Sequence, residues 1–166
     1  MRIAVIGAGL MGRAIAWDMC RSSEVKKVLL IDSDKSRLDV GASFAGSVEK
    51  KILDAGDVTA LSGALEGCDA AVSCVPYRFN EGITSACIEA GVHMCDLGGN
   101  NDVVDAQFRM NELACEAGVT VIPDCGLAPG MVSVWAMAGF EQLDECEAIR
   151  MRVGGEIQVG MRGQAP

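Results

Sequence analysis

Histidine is almost missing from this chain, with His93 alone among 166 residues, and that scarcity closes several routes at once. Eight cysteines are present, Cys20, Cys68, Cys74, Cys87, Cys95, Cys115, Cys125 and Cys146, but no two stand at C-x-x-C spacing. A zinc site of the Cys/His kind therefore lacks its ligands, and no metal is expected. Excess positive charge is also missing. The formal net charge is −9, which disfavours nucleic acid and anionic membrane as partners. No apolar run approaches the roughly 20 residues of a membrane-spanning helix. Residues 1 to 20 lack the basic start and following cleavage site of a signal peptide. Without an export signal, most of the cysteines are expected to be reduced, buried small hydrophobes, and the cytosol is the expected compartment.

What is present fits a globular chain. Half of the residues are hydrophobic, and a chain of this length buries about 70% of the surface its unfolded form exposes. Glycine organises the first dozen residues, MRIAVIGAGLMG. The apolar run Ile3-Ala4-Val5-Ile6 leads into Gly7-Ala8-Gly9-Leu10-Met11-Gly12. From there it passes into Arg13 to Cys20, whose apolar residues recur at helical spacing. Strand, glycine turn and helix in that order form a dinucleotide-binding fingerprint. Gly7 permits the tight turn, Gly9 lets the backbone approach a pyrophosphate, and Gly12 lets the helix pack closely on the strand. Free N–H groups and the positive end of the helix dipole then face the phosphates. A dinucleotide is itself an anion, so on a chain this acidic its binding must come from those local N–H groups. Met11 is expected to pack on the adenosine or pyrophosphate, or to make a plain helix-start contact.

A second continuous apolar run, Val28-Leu29-Leu30-Ile31, closes at Asp32. Such runs suit strands buried on both faces of a parallel sheet. Asp32 falls 20 residues after Gly12, where an acidic side chain accepts hydrogen bonds from the adenosine ribose and repels a 2′-phosphate. NAD is therefore expected over NADP, with Ser33 and Arg37 also at the cofactor. Lys35 and Arg37 would partly offset the repulsion, and Asp32 as a plain turn or cap residue is compatible with either cofactor.

Further along, the pattern predicts a helix over Lys35 to Phe44 and a polar edge strand over Val48 to Leu53. Asp57 either caps the next helix or, with Val58, lies near the adenine. A small apolar strand, Asp69 to Pro76, should point Val75, Pro76 and Tyr77 at the cofactor, because ligands of open α/β sheets bind beyond the carboxyl ends of the strands. Helices are predicted over Phe79 to Ala90, Val103 to Ala117 and about Met131 to Phe140, and strands over Val92 to Leu97 and Val119 to Pro123. Six strands alternating with helices imply an α/β doubly wound parallel sheet of the Rossmann type, order 3-2-1-4-5-6, over residues 1–145. Ala148 to Val153 reads as one further strand with no partner, so residues 146–166 are expected to be a tail or the start of a second domain.

Three stretches carry a resemblance: Val75-Pro76-Tyr77, Ala90 to Gly99 and Asp124 to Met131. There the chain resembles the saccharopine dehydrogenase family, most of all its L-lysine 6-dehydrogenase-type members. The resemblance covers residues 1 to about 155. It implies an NAD-dependent oxidoreductase acting on the amine of an amino acid, with a substrate and dimerisation domain after the Rossmann portion. Family members continue through that further domain, whereas Glu156 to Pro166 shows no similarity to it. A shortened form is thus expected, with three alternatives: turnover, NAD binding without turnover, or assembly with a separate chain. Apolar area left uncovered where such a domain would dock favours a homo-oligomer.

Asp96 and Asp124 follow the fifth and sixth strands and should flank the nicotinamide crevice. An amine substrate must lose a proton before hydride leaves its carbon, and a carboxylate can hold or deprotonate the ammonium. The resemblance favours Asp96 as a substrate-side residue; a strand-end aspartate bonded to nearby N–H groups is the alternative. Asp124 could equally cap its loop. Cys74 and Cys125 have no base or cation close in sequence and read as packing residues; His93, inside a strand rather than at its end, reads as a satisfied core or surface histidine rather than a general base.

Overall fold

The structure is a computed structural model and describes residues 1–43 and 48–154. Its strands are β1 (Arg2–Ile6), β2 (Lys27–Asp32), β3 (Val48–Ile52), β4 (Ala70–Ser73), β5 (His93–Asp96) and β6 (Val121–Ile122). All pairings are parallel, in the order β3-β2-β1-β4-β5-β6. Among the described residues seven α-helices accompany them: α1 (Leu10–Met19), α2 (Lys35–Ala42), α3 (Val58–Leu65), α4 (Asn80–Ala90), α5 (Asn101–Phe108), α6 (Asn111–Glu116) and α7 (Met131–Phe140).

Alternation along β1 and β2 builds a core on each face of the sheet. Ala4, Ile6, Leu29 and Ile31 face Leu61 and Leu65 of α3 and Ile83 of α4. Val5, Val28 and Leu30 face Ala16 of α1 and Leu38 of α2. Each fully buried leucine or isoleucine in these layers contributes about 1.5–3 kcal/mol. The polar edge strand β3 carries Glu49, which pairs with Lys27 at 2.8 Å and Arg2 at 3.3 Å. Three helix starts, those of α2, α3 and α5, are capped by side chains. Asp34 accepts from Ser36 N at 2.8 Å, Asp57 from Ala60 N at 3.0 Å and Asn100 from Val103 N at 3.2 Å. Asp57 is therefore a cap, the simpler of its two readings.

Three expectations need correction. The helix predicted over Val103 to Ala117 is two helices. The bond Met110 N to Gln107 O tightens the ladder and ends α5, and α6 starts afresh with Ala114 N to Met110 O. Asn111, a residue that competes with helical backbone bonds, stands at the restart. The strand predicted over Ala148 to Val153 does not form. These residues have neither strand nor helix, because extended backbone needs a neighbouring strand to take its N–H and C=O groups. The sixth strand is limited to Val121–Ile122. Phe44 and the tail from Glu156 to Pro166 lie outside the described residues.

The sheet is covered unevenly. Val5, Val72, Cys95 and Ile122 are successive register partners on one face. Val5 is fully buried beneath the helices while Ile122 is 53% exposed. α7, sequence MVSVWAMAGF, contains no buried residue, and Val134 and Trp135 are among its exposed apolar side chains.

Candidate dinucleotide-binding site

The glycine turn sits where the two halves of the sheet diverge. Gly7 has φ +102°, a conformation that favours glycine, and its N–H donates to Ile31 O at 2.7 Å. A Cβ at Gly12 would overlap the carbonyl oxygen of Gly7, whereas one at Gly9 would meet nothing. The turn is thus closed toward the helix and open toward the cleft. The first helical bond of the turn is Arg13 N to Gly9 O at 3.0 Å, so the preceding N–H groups of Leu10, Met11 and Gly12 have no intrahelical acceptor. That open backbone at the start of a ten-residue helix fits a pyrophosphate.

A cleft of about 340 Å³ runs from Gly7 past Asp32, Ser33 and Arg37 to Leu53, Asp54, Val75, Pro76, Arg78 and Phe79. The Asp32 carboxylate accepts Ala8 N at 2.7 Å through Oδ2 and Asp34 N at 2.8 Å through Oδ1. It thereby ties the end of β2 to the glycine turn. Asp34 accepts from Ser36 and pairs with Arg37 at 3.6 Å, and these partners, Ser36 first, hold its carboxyl below the usual range.

Six of the fourteen predicted cofactor residues line this cleft. Gly7, Asp32, Ser33, Arg37, Val75 and Pro76 line the cleft; Asp57 and Val58 do not. Asp57 is held by its cap, and the Val58 side chain packs against the core. Tyr77 lies one step away, beside Gly99. Leu10 and Met11 are 81% and 58% exposed, so Met11 makes no buried contact. Arg78 and Phe79 were missed by sequence reasoning. They sit on a 3-10 turn, Tyr77–Phe79, after Pro76, with the Arg78 guanidinium 4.6 Å from the Phe79 ring centroid.

A second cleft, about 520 Å³, opens beyond β5 and β6 and is lined by Leu97, Gly99, Asn100, Asn101, Asp124 and Leu127 among others. Asp124 faces it, half-buried, with φ +59°. Asp96 does not face it. It is wholly buried, with Oδ1 accepting Gly98 N at 2.7 Å and Asp124 N at 3.2 Å and Oδ2 accepting Gln107 Nε2 at 2.7 Å. That is the N–H-bonded strand end weighed as its alternative role. Nearby thiols are poor nucleophiles. Burial, then Cys95, pushes Cys74 up to about 12, and burial, then Cys125 and Asp96, pushes Cys95 up to about 11. Cys125 is raised by burial, then by Asp96 and Asp124. His93 Nδ1 accepts Thr120 N at 3.0 Å, at the opposite end of β5 from the clefts.

Fold, turn and cleft define a Rossmann-type nucleotide-binding domain. The chain belongs to the saccharopine dehydrogenase NADP-binding domain family, whose model matches residues 3–122. It is 24% identical to a saccharopine dehydrogenase (NADP(+), L-glutamate-forming) from Pyricularia oryzae, over 85% of this chain and 30% of that protein. It is 25% identical to carboxynorspermidine synthase from Vibrio cholerae, over 93% of this chain and 44% of that protein. The chain thus spans less than half the length of either relative. Saccharopine dehydrogenase from Saccharomyces cerevisiae shares the fold, with TM-score 0.71 and 18% identity over 85% of this chain and 31% of that one. The expectation of NAD over NADP is not carried by these comparisons, since the family description names NADP.

Proposed function

We propose that this chain is the cofactor-binding domain of an NAD-dependent dehydrogenase of the saccharopine and lysine dehydrogenase type, which oxidises the amine of an amino acid by hydride transfer. One observation carries the reading. Asp32, on the cleft, is joined to the glycine turn through Ala8 N, so a ribose-reading carboxylate and a pyrophosphate-reading turn form one unit. The ribose hydroxyls would use the acceptor positions of Asp32 left free by Ala8 and Asp34. The pyrophosphate would lie on the N–H groups of Leu10, Met11 and Gly12. When bound, the nicotinamide supplies the hydride acceptor. Asp124 is the substrate-side carboxylate, holding the ammonium and taking its proton, and Asp96 acts from beneath it. A homo-oligomer is the state we infer, from the exposed apolar surface of α7.

A second reading, NADP, is favoured by one specific feature. Arg37 and Arg78 line the same cleft as Asp32 and could meet a 2′-phosphate from two sides. Formation of reduced nicotinamide from NAD with lysine, saccharopine or related amines is the expected result. No turnover with any of them, under conditions where the cofactor binds, would overturn the catalytic part of the proposal.

A further inference from the structure

Gln107, on α5, is 5% exposed, and its Oε1 is a buried oxygen with no hydrogen-bond partner among the described residues. Its amide nitrogen is fully used, donating to Asp96 Oδ2 at 2.7 Å and to Thr84 Oγ1 at 2.9 Å. Thr84 spends its own proton on Asn80 O at 2.8 Å, so towards Gln107 it can only accept. The amide orientation is therefore fixed, because a flipped amide would set its oxygen against two acceptors. The buried side chain forgoes a partner for its oxygen and places both donors on the Asp96–Thr84 line.

Asp96, at the other end of that bond, holds two loops. Its Oδ1 takes Gly98 N, in the loop after β5, and Asp124 N, in the loop after β6. Its main-chain oxygen takes Cys125 N at 2.7 Å. Asp124, a non-glycine residue at φ +59°, is thus bracketed by two bonds to a single residue. Among the described residues no cationic side chain pairs with Asp96; its carboxylate rests on N–H donors alone. With Oδ2 occupied by Gln107, Oδ1 remains for the two loop amides.

We propose that Gln107 is a positioning residue. It fixes the Asp96 carboxylate so that Asp96 pins both loops and presents Asp124 to the cleft beyond β5 and β6. The substrate-side role of Asp124 belongs to the proposed function, on which this inference rests; the pinning is measurable without it.

The test is amide hydrogen exchange followed by NMR on the whole chain, corrected for the intrinsic pH dependence of exchange. Slow exchange at Gly98 and Asp124 is expected in the wild type, and rapid exchange at both would overturn the proposal. Gln107→Met, apolar and unbranched, should speed exchange at these two amides about 10- to 100-fold, the loss of a bond to a charged group, and leave Ala8 unchanged. Gln107→Glu can share a proton with Asp96. Its Gly98 and Asp124 amides should match the wild type while the pair holds that proton and lose protection at higher pH. This rescue is what a merely space-filling role would not produce. Unchanged protection in a folded Gln107→Met, or a Gln107→Glu protein without pH dependence, overturns the proposal. If Gln107→Met does not fold, Gln107→Glu decides. Adding NAD and then NADP to the same samples should shift the Gly7 and Ala8 amides. Absence of that shift would overturn the proposed function and leave the Gln107 result standing.

Discussion

The Asp32 carboxylate accepts the backbone N–H of Ala8 at 2.7 Å, joining the end of β2 to the inside of the glycine turn. The residue that would choose between cofactors is thus also part of the frame that shapes the pyrophosphate site. Asp32→Ala leaves the N–H groups of Ala8 and Asp34 without their acceptor and should cost about 1–3 kcal/mol of stability, read by urea melts. Asp32→Asn retains one acceptor oxygen and removes the charge. The ratio of NADP to NAD affinity should then rise, measured by calorimetry with each cofactor. An unchanged ratio would remove Asp32 from cofactor choice.

Gly12→Ala places a Cβ against the carbonyl oxygen of Gly7. Backbone cannot yield as a flexible side chain does, so α1 must move away from the turn. A loss of about 1–3 kcal/mol is expected from such overpacking, together with weaker dinucleotide binding. Gly9→Ala meets nothing in the free chain, so it should melt near the wild-type midpoint while losing affinity. Equal effects of the two substitutions on stability would contradict the assigned roles.

How far these features could be read from sequence depended on whether they were local. The runs Ile3–Ile6 and Val28–Ile31 are apolar on consecutive positions, and a strand covered on both faces is the structure that uses such a run. The glycine spacing and Asp32 followed from the same local order. The fate of Asp96 was not local. Its position at a strand end is visible in sequence, but its burial depends on Gln107 and Asp124, 11 and 28 residues away. Arg78 enters the cleft because a short turn follows Pro76, and no periodicity marks that. The break between α5 and α6 falls inside a stretch whose apolar spacing runs straight through. The strand expected over Ala148 to Val153 had the right composition and no neighbour to pair with.

The thiols of Cys87, buried, and of Cys74 and Cys95, partly buried, set an alkaline limit. Burial first, and a neighbouring thiol second, pushes Cys74 and Cys87 to about 12 from an ordinary 9.0. Cys95 is raised to about 11, again by burial first. Below pH 9 each thiol is protonated folded or unfolded, and stability is unaffected. Above it the unfolded chain ionises and the folded one does not, so stability falls until the folded values are reached. Each thiol contributes a decline of up to about 1.4 kcal/mol per pH unit in that window. Urea melts at pH 8, 9 and 10 should show a flat response and then a steep loss. Cys74→Ser should flatten the loss by one thiol's share.

α7 is apolar and without a buried residue, and the sheet face ending at Ile122 is open beside β6. Light scattering should show self-association that grows with concentration. Val134→Glu or Trp135→Glu should shift it toward monomer without lowering the melting temperature, since both side chains are more than 60% exposed. A monomeric wild type at high concentration would refute the inferred oligomer.

Calorimetric titration of the chain with NAD and with NADP should show one site per chain, tighter for NAD than for NADP and lost in Gly9→Ala. Tighter binding of NADP, abolished by Arg37→Ala with Arg78→Ala, would transfer the cofactor choice from Asp32 to the arginines. Binding of neither nucleotide to the folded chain would contradict the assignment of the glycine turn and Asp32 to a dinucleotide.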